Sequence, residues 1–148
     1  IDCNQVLNEA QADLKAIIVQ EQATITHNDL PVINGDRISL SRLFQNLLSN
    51  AIKFSNSGTV ITVSSFRAKD EITVAVKDQG QGIPKEEQKQ LFKPFSRLSV
   101  KSTDGEHSTG LGLTITKKII MGHGGKIWVE SQENVGTTFY FTIPLKGE

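Results

Sequence analysis

The sequence predicts an α/β (α+β) fold of two layers, in which a mixed, mostly antiparallel sheet of about five strands carries about three helices on one face. Two observations lead to this prediction. Apolar residues recur at helical spacing in three segments, and short segments rich in β-branched residues separate or follow them. No repeat or linker interrupts the 148 residues, so we expect a single domain over residues 1–148.

The first third of the chain is predicted to contain two helices and two short strands. Residues 4–20 carry one apolar stripe at helical spacing, which favours a helix. Residues 23–27 and 31–33 have the composition of short strands. Asp36 is a suitable N-cap for a second helix, which is expected to end near Phe54, before a polar turn that contains glycine.

The rest of the chain is predicted to alternate between strands and helices. Residues 59–66 and 71–77 predict a hairpin, and Pro84 is expected to open a short helix. Residues 96–109 are polar and lack periodicity, which indicates a long loop of the kind that is usually functional or mobile. The remaining predicted elements are a helix over 110–121 and two strands over 126–131 and 137–143.

Charge and cysteine content exclude several classes of function. Sixteen basic and sixteen acidic residues cancel, so no global field draws the domain to nucleic acid or to an anionic membrane, and neither is an expected partner. Cys3 has no second cysteine to pair with, which favours a reducing compartment such as the cytoplasm. The chain begins at Ile1 as an excised domain would, so a membrane-anchored parent stays open.

Three polar residues of the second helix form the first candidate site. Asn46, Asn50 and Lys53 fall at i, i+4 and i+7 and therefore project from one side, at the edge of the apolar stripe. Amide oxygens ligate Mg²⁺ and a lysine offsets phosphate charge, so the row suits a metal-bearing phosphate. The alternative is an ordinary helix edge in contact with water.

Asp78 is the second candidate. It continues the inward phase of the strand over 71–77, so its carboxylate is expected to point to the interior. A buried carboxylate needs donors, and the exocyclic amine of adenine is a suitable one, whereas the carbonyl of guanine would be repelled. The alternative is a turn cap, in which Asp78 accepts a hydrogen bond from the backbone of the following Gly-Gln-Gly turn.

Glycine-rich segments supply the third set of candidates. Gly80 and Gly82 allow positive φ and a close approach of backbone to a flat ring, whose face Ile83 is placed to cover. The segment 109–113 opens a helix, where free N–H groups and the positive end of the dipole favour phosphate. Arg97 lies at the root of the preceding loop and is a candidate for the γ-phosphate. Taken singly, these residues also suit ordinary helix entry and a solvated arginine.

Four segments, 46–55, 78–83, 92–95 and 109–113, occur in an order that carries a family resemblance. They resemble the N, G1, F and G2 boxes of the catalytic ATP-binding domain of sensor histidine kinases, which belong to the Bergerat-fold (GHKL) ATPases. Gly136-Thr-Thr-Phe139 is similar to the last glycine motif of that family. The similarity extends over nearly the whole chain. The F box is the more specific motif, because it separates histidine kinases from the other Bergerat-fold ATPases.

The resemblance implies a role for each matching position. Asn50 would ligate Mg²⁺, Asp78 would bind the adenine amine of ATP, and the segment 96–109 would be the ATP lid. Asn46, Lys53 and Arg97 form the implied catalytic set. The implied nucleotide-binding set comprises Asn46, Asn50, Lys53, Asp78, Gly80, Gly82, Ile83, Phe95, Thr109, Gly110, Leu111, Gly112, Leu113 and Thr137.

The implied activity is that of an ATP-dependent protein-histidine kinase in two-component signalling. Relatives that hydrolyse ATP place a glutamate base where this chain has Asn46, so attack by water should be slow. None of the three histidines is predicted to lie on an exposed helix beside an acidic residue. The acceptor histidine would therefore belong to a separate helical-hairpin dimerisation domain, expected N-terminal to this one, and a response-regulator receiver domain would be the next partner.

Two alternatives stay open at this point. A serine kinase of the anti-sigma-factor type is also a single small Bergerat domain, although such proteins keep the glutamate at the position of Asn46. A non-catalytic module would use the same pocket as an interaction surface only. One departure affects the lid, because Ser108 stands where the G2 box usually opens with glycine.

Overall fold

A mixed sheet of five strands forms one layer of the fold in the computed structural model, which describes residues 1–88 and 112–144. In chain order the strands are β1 (Thr24–His27), β2 (Val60–Arg67), β3 (Glu71–Lys77), β4 (Ile127–Gln132) and β5 (Gly136–Pro144). They pair in the order β1-β2-β3-β5-β4, with β1 parallel to β2 and the other pairs antiparallel. The predicted mixed, mostly antiparallel sheet is confirmed.

Helices form the second layer. Those in the described residues are α1 (Cys3–Asp13), α2 (Lys15–Gln20), α3 (Arg37–Lys53), α4 (Lys85–Gln88) and α5 (Gly112–Gly122). The central helix α3 packs between α1 and α5 and contacts β2 and β3. As predicted, Asp36 caps α3, since its Oδ2 accepts a hydrogen bond of 2.9 Å from the Ser39 N–H, and Phe54 follows the last helical residue.

The core lies between α3 and the sheet. Alternate residues of β3 and β5 point inward and pair in register, as Val74 with Phe141 does, whereas the apolar face of α3 is fully buried above them. Phe44 on α3 meets Phe141 edge to face, with ring centroids 6.0 Å apart. This packing fixes the C-terminal end of α3 over the ends of β3 and β5, where the polar candidates gather.

Two predictions for the N-terminal segment are wrong in detail. The helix over 4–20 is divided, because the backbone of Leu14 leaves helical geometry (φ −100°, ψ 11°) and ends α1 before α2 begins. Residues 31–33 do not join the sheet, and Val32 makes only an isolated bridge to Asp2. Their backbone is satisfied by the N-terminus instead, since Pro31 O accepts from Cys3 N and Ile33 N donates to Ile1 O.

His123 joins the two helices that flank the cleft described below. Its Nδ1 contacts Ile119 O at 2.8 Å, which requires an N–H at Nδ1, so Nε2 is free to accept the Asp36 N–H at 3.1 Å. The end of α5 is thereby tied to the start of α3. Among the described residues, no helix has the length and apolar character needed to cross a membrane.

Candidate functional site

A cleft opens where the C-terminal end of α3 meets the loop after β3, the start of β5 and the start of α5. Its cavity volume is about 20 Å³, and the space between its walls reaches about 400 Å³ when the open solvent at its mouth is counted. Most of its walls are apolar, with a few convergent polar groups, which is the usual make-up of a small-molecule site. The described residues that line it are Asn50, Phe54, Asp78, Gly82, Ile83, Leu113, Thr137 and Phe139.

Asp78 is the charged side chain among the described residues that line this cleft. Only 7% of its surface is exposed, so the predicted inward orientation is confirmed. Its Oδ1 accepts hydrogen bonds from Gly80 N at 2.9 Å and from Thr137 N at 3.1 Å. Among the described residues, Oδ2 of Asp78 takes part in no hydrogen bond.

The electrostatic state of Asp78 follows from this burial. Loss of hydration raises the pKa of its carboxyl from 3.8 to about 6, against the opposing effect of the two backbone N–H donors. The turn-cap interpretation of Asp78 is confirmed, whereas adenine binding stays a prediction. One oxygen caps the turn, as in an Asx turn, and the carboxylate lies buried at the cleft, where its second oxygen has no hydrogen bond to a described residue.

The loop after β3 is held by close packing on both sides. Gly82 has φ +75° and lies so near β4 that a Cβ would stand 2.2 Å from Gln132 O. Gly80 needs no positive φ, but a Cβ there would stand 2.4 Å from Phe54 O. Gly82 lines the cleft, whereas Gly80 packs against the end of α3. The approach of both glycines to a flat ring stays a prediction.

The three polar residues of the row on α3 do not all line the cleft. Asn50 lines it, whereas Asn46 and Lys53 are half-buried and lie outside the lining. Their spacing puts all three on one side of the helix, but the cleft reaches only the middle one. Among the described residues, no group of three or more His, Cys, Asp or Glu side chains is placed to hold a metal ion by itself.

Two candidates of the G2 box lie in the described residues, since Gly112 begins α5 and Leu113 lines the cleft. Several other candidates cannot be placed. The F box, the lid over 96–109 and His107 lie outside the described residues, as do the candidates Phe95, Arg97, Thr109, Gly110 and Leu111.

Sequence reasoning missed three residues of the site. Phe54 was expected to end a helix within the N box and Phe139 to lie on a strand within the last glycine motif, neither with a role in the site, yet both line the cleft. The inward period of β5, which also buries Phe141, was a signal for Phe139. Ser131 lies behind the lining, where its hydroxyl bonds to Ile83 N at 2.8 Å and to Thr137 Oγ1 at 2.7 Å. No pattern in the sequence marks Ser131.

Comparison with known proteins agrees with this arrangement. The family described as "Histidine kinase-, DNA gyrase B-, and HSP90-like ATPase" matches residues 35–147. Among solved structures, the catalytic domain of histidine kinase ThkA superposes with a TM-score of 0.82 at 30% identity, over 97% of this chain and 95% of that one. The chain therefore belongs to the histidine kinase-, DNA gyrase B- and HSP90-like ATPase family, as a catalytic domain of the histidine-kinase kind.

Curated relatives are longer proteins. Cyanobacterial phytochrome A of Nostoc sp. is 43% identical over 99% of this chain, which covers only 19% of that protein. The adaptive-response sensory kinase SasA of Microcystis aeruginosa is 34% identical over 97% of this chain, which covers 37% of it. The chain thus spans between about a fifth and two-fifths of the length of these relatives.

Proposed function

We propose that the cleft binds the adenine of Mg-ATP and that the domain donates the γ-phosphoryl group to a histidine of a separate domain. The observation that carries the proposal is the state of Asp78, a buried carboxylate at the cleft. One of its oxygens is bonded to the backbone, and the other has no hydrogen bond within the part of the chain that the structure describes. A carboxylate oxygen in an apolar cleft is a strong acceptor for an exocyclic amine. ATP binding is also the property named by the family.

The walls of the cleft suit a flat purine. Ile83 supplies apolar surface from the loop after β3 and Leu113 from α5, and Phe54 and Phe139 add aromatic surface. A ring bound among them is shielded from water, which strengthens its hydrogen bond to Asp78. The close packing of Gly82 against Gln132 keeps the loop that carries Ile83 in place.

The phosphates and Mg²⁺ are expected along α3 and toward the start of α5. The Asn50 side chain fits an ion that prefers oxygen ligands and keeps most of its waters, and the absence of an acidic cluster in the described residues agrees with a metal that arrives on the nucleotide. When bound, Mg²⁺ would neutralise charge on the phosphate oxygens. Asn46, Lys53 and the undescribed Arg97, Thr109 and Gly110 complete the proposed phosphate side.

Transfer then depends on position more than on a protein base. The amide of Asn46 is not a base that can activate water, so the proposed role of the site is to hold the triphosphate while a histidine nitrogen attacks the γ-phosphorus and the bond to the ADP oxygen breaks. The acceptor would lie on a helical-hairpin dimerisation domain. A solved structure of histidine kinase ThkA in complex with the response regulator TrrA supports a receiver domain as the next partner. Cytoplasmic location stays a prediction.

Calorimetry with ATP, in the presence and absence of Mg²⁺, tests the binding step. We expect saturable binding that Mg²⁺ strengthens. Mixing the domain with a cognate hairpin domain and labelled ATP tests the transfer, with acid-labile and base-stable label on the hairpin as the expected result. Acid-stable phosphoserine would instead indicate the serine-kinase alternative, and binding without transfer to a competent hairpin would indicate a non-catalytic module.

A further inference from the structure

Ser131 has more hydrogen bonds than a strand residue outside every motif requires. It lies half-buried on β4, and its hydroxyl contacts three groups of the site. Ile83 N donates to Ser131 Oγ at 2.8 Å, Ser131 Oγ lies 3.1 Å from Gly136 O, and it lies 2.7 Å from Thr137 Oγ1.

The capacity of a hydroxyl assigns the direction of each bond. A serine hydroxyl has one hydrogen to donate and two lone pairs that accept. Gly136 O can only accept, so the Ser131 hydrogen must be given to it. Ser131 then accepts from both Ile83 N and the Thr137 hydroxyl, and this is the arrangement in which all three contacts are hydrogen bonds.

This assignment fixes what Thr137 presents to the cleft. With its hydrogen given to Ser131, the Thr137 hydroxyl has only lone pairs left, and Thr137 lines the cleft beside Asp78. The backbone N–H of Thr137 is already committed to Asp78 Oδ1. Asp78 Oδ2 and Thr137 Oγ1 are therefore both acceptors, and this wall of the cleft offers no hydrogen from either side chain.

We propose that Ser131 is a positioning residue that sets the purine specificity of the cleft, because it holds the Thr137 hydroxyl as an acceptor beside Asp78. Such a wall matches a 6-amino purine, whose exocyclic group has two hydrogens to donate. It rejects a 6-oxo purine, because two acceptors would face the carbonyl oxygen and leave it unpaired. The inference rests on the proposed binding of adenine at this cleft.

The test compares ATP with ITP, which differ at the 6-position, in calorimetric titrations of the 148-residue chain in Mg²⁺. In Ser131→Ala the Thr137 hydroxyl loses its acceptor and becomes able to turn its hydrogen into the cleft. We expect weaker ATP binding and stronger ITP binding, so that the ATP to ITP affinity ratio falls by about tenfold. Ser131→Thr keeps the hydroxyl and should restore the ratio.

Ser64→Ala is the matched control. Ser64 is also a half-buried strand serine, on β2 opposite Ala75, and its hydroxyl has no hydrogen bond among the described residues. Its ratio should equal that of the wild type. An unchanged ATP to ITP affinity ratio in Ser131→Ala, whether or not both affinities fall, would show that Ser131 is merely structural and overturn the proposal.

If Ser131→Ala does not unfold cooperatively, and is therefore not properly folded, a second variant tests the proposal. Thr137→Val removes the acceptor itself and keeps the N–H that bonds to Asp78, so it must also lower the ratio, and an unchanged ratio in this variant overturns the proposal. If the wild type binds ATP but these ratios do not change, the proposed function stands and only the role of Ser131 fails. If the wild type binds neither nucleotide, both fail.

Discussion

The two ends of the cleft are built in different ways. At the end that contains Asp78, three chain segments are cross-linked by hydrogen bonds, since the loop after β3 bonds to α3 through Phe54 O and to the β4–β5 hairpin through Gln81 O and Ser131 Oγ. At the other end, polar side chains of one helix line up at its edge, and only Asn50 reaches the cleft.

In the proposed function, the end that contains Asp78 is the base end, which is already formed before ligand binds. The end at the polar row of α3 is the phosphate end, which we expect the ligand to complete. A group that must be recognised by hydrogen-bond direction needs fixed partners, because each misplaced donor costs a full hydrogen bond. Phosphate and Mg²⁺ are recognised by charge and retain water, so they tolerate longer, mobile side chains. The predictions below separate the two ends.

The largest effect is expected from Gly82→Ala, which breaks the base end. The new Cβ would meet Gln132 O at 2.2 Å in a residue with φ +75°, so we expect a loss of roughly 3 to 5 kcal/mol in the free energy of unfolding. Gly58→Ala is the control, because its φ is +86° but no atom lies within 4 Å of the new Cβ. It should cost only about 1 to 2 kcal/mol. Equal losses in urea unfolding would show that contact with β4 is unimportant.

Burial of Asp78 predicts a pH dependence of stability. Its folded pKa of about 6 lies above the ordinary 3.8, so the folded state holds the proton more tightly than the unfolded state does. The free energy of unfolding contributed by Asp78 should therefore fall as pH rises from about 4 to about 6 and stay level above, by about 3 kcal/mol in total. Asp78→Asn should remove this slope and stabilise the unliganded domain at pH 8. Urea unfolding of both proteins between pH 4 and pH 8 measures this pH dependence. If the free energies of unfolding of wild type and Asp78→Asn change with pH in the same way, the proposed effect of burial is contradicted.

The same substitution should weaken the ligand complex. Asp78→Asn replaces the charged acceptor at the cleft with an amide, because the two backbone N–H donors hold the amide oxygen in the place of Oδ1. We expect ATP binding to weaken by about 1.5 to 3 kcal/mol, the usual value of a hydrogen bond to a charged group. Asp70→Asn, on the exposed turn before β3, is the control for loss of one charge. Unchanged affinity in calorimetry would leave Asp78 as a turn cap only.

The smallest effect is expected at the phosphate end. Asn50→Ala should change ATP affinity without Mg²⁺ by less than about 0.5 kcal/mol, since the amide would act through the metal. The increment that Mg²⁺ adds to ATP affinity should disappear. Ser49→Ala, one residue earlier on α3, should keep that increment. If Asn50→Ala retains it as well, the metal is held elsewhere.

Much of the local structure could be predicted from sequence because it depends on neighbours along the chain. The capped helix from Asp36 to Phe54 and the inward phase that buries Asp78 follow from spacing alone. The break at Leu14 could not be predicted in this way, because the apolar stripe continues through it. The prediction of a strand at 31–33 was wrong for a related reason, because the backbone of this segment forms its hydrogen bonds with the N-terminus instead of with the sheet.

The sequence by itself determined which side chains with chemistry this protein has, the side of the helix on which Asn46, Asn50 and Lys53 project, and the burial of Asp78. Only the tertiary structure decided which of them share a cleft, that Gly80 serves packing against Phe54, and that Ser131 supports Ile83 and Thr137. The physical reason is distance along the chain. Helical and strand periods fix the direction of a side chain relative to its own backbone, whereas hydrogen bonds such as that of Ser131 to Ile83 join residues 48 positions apart, which no local pattern encodes.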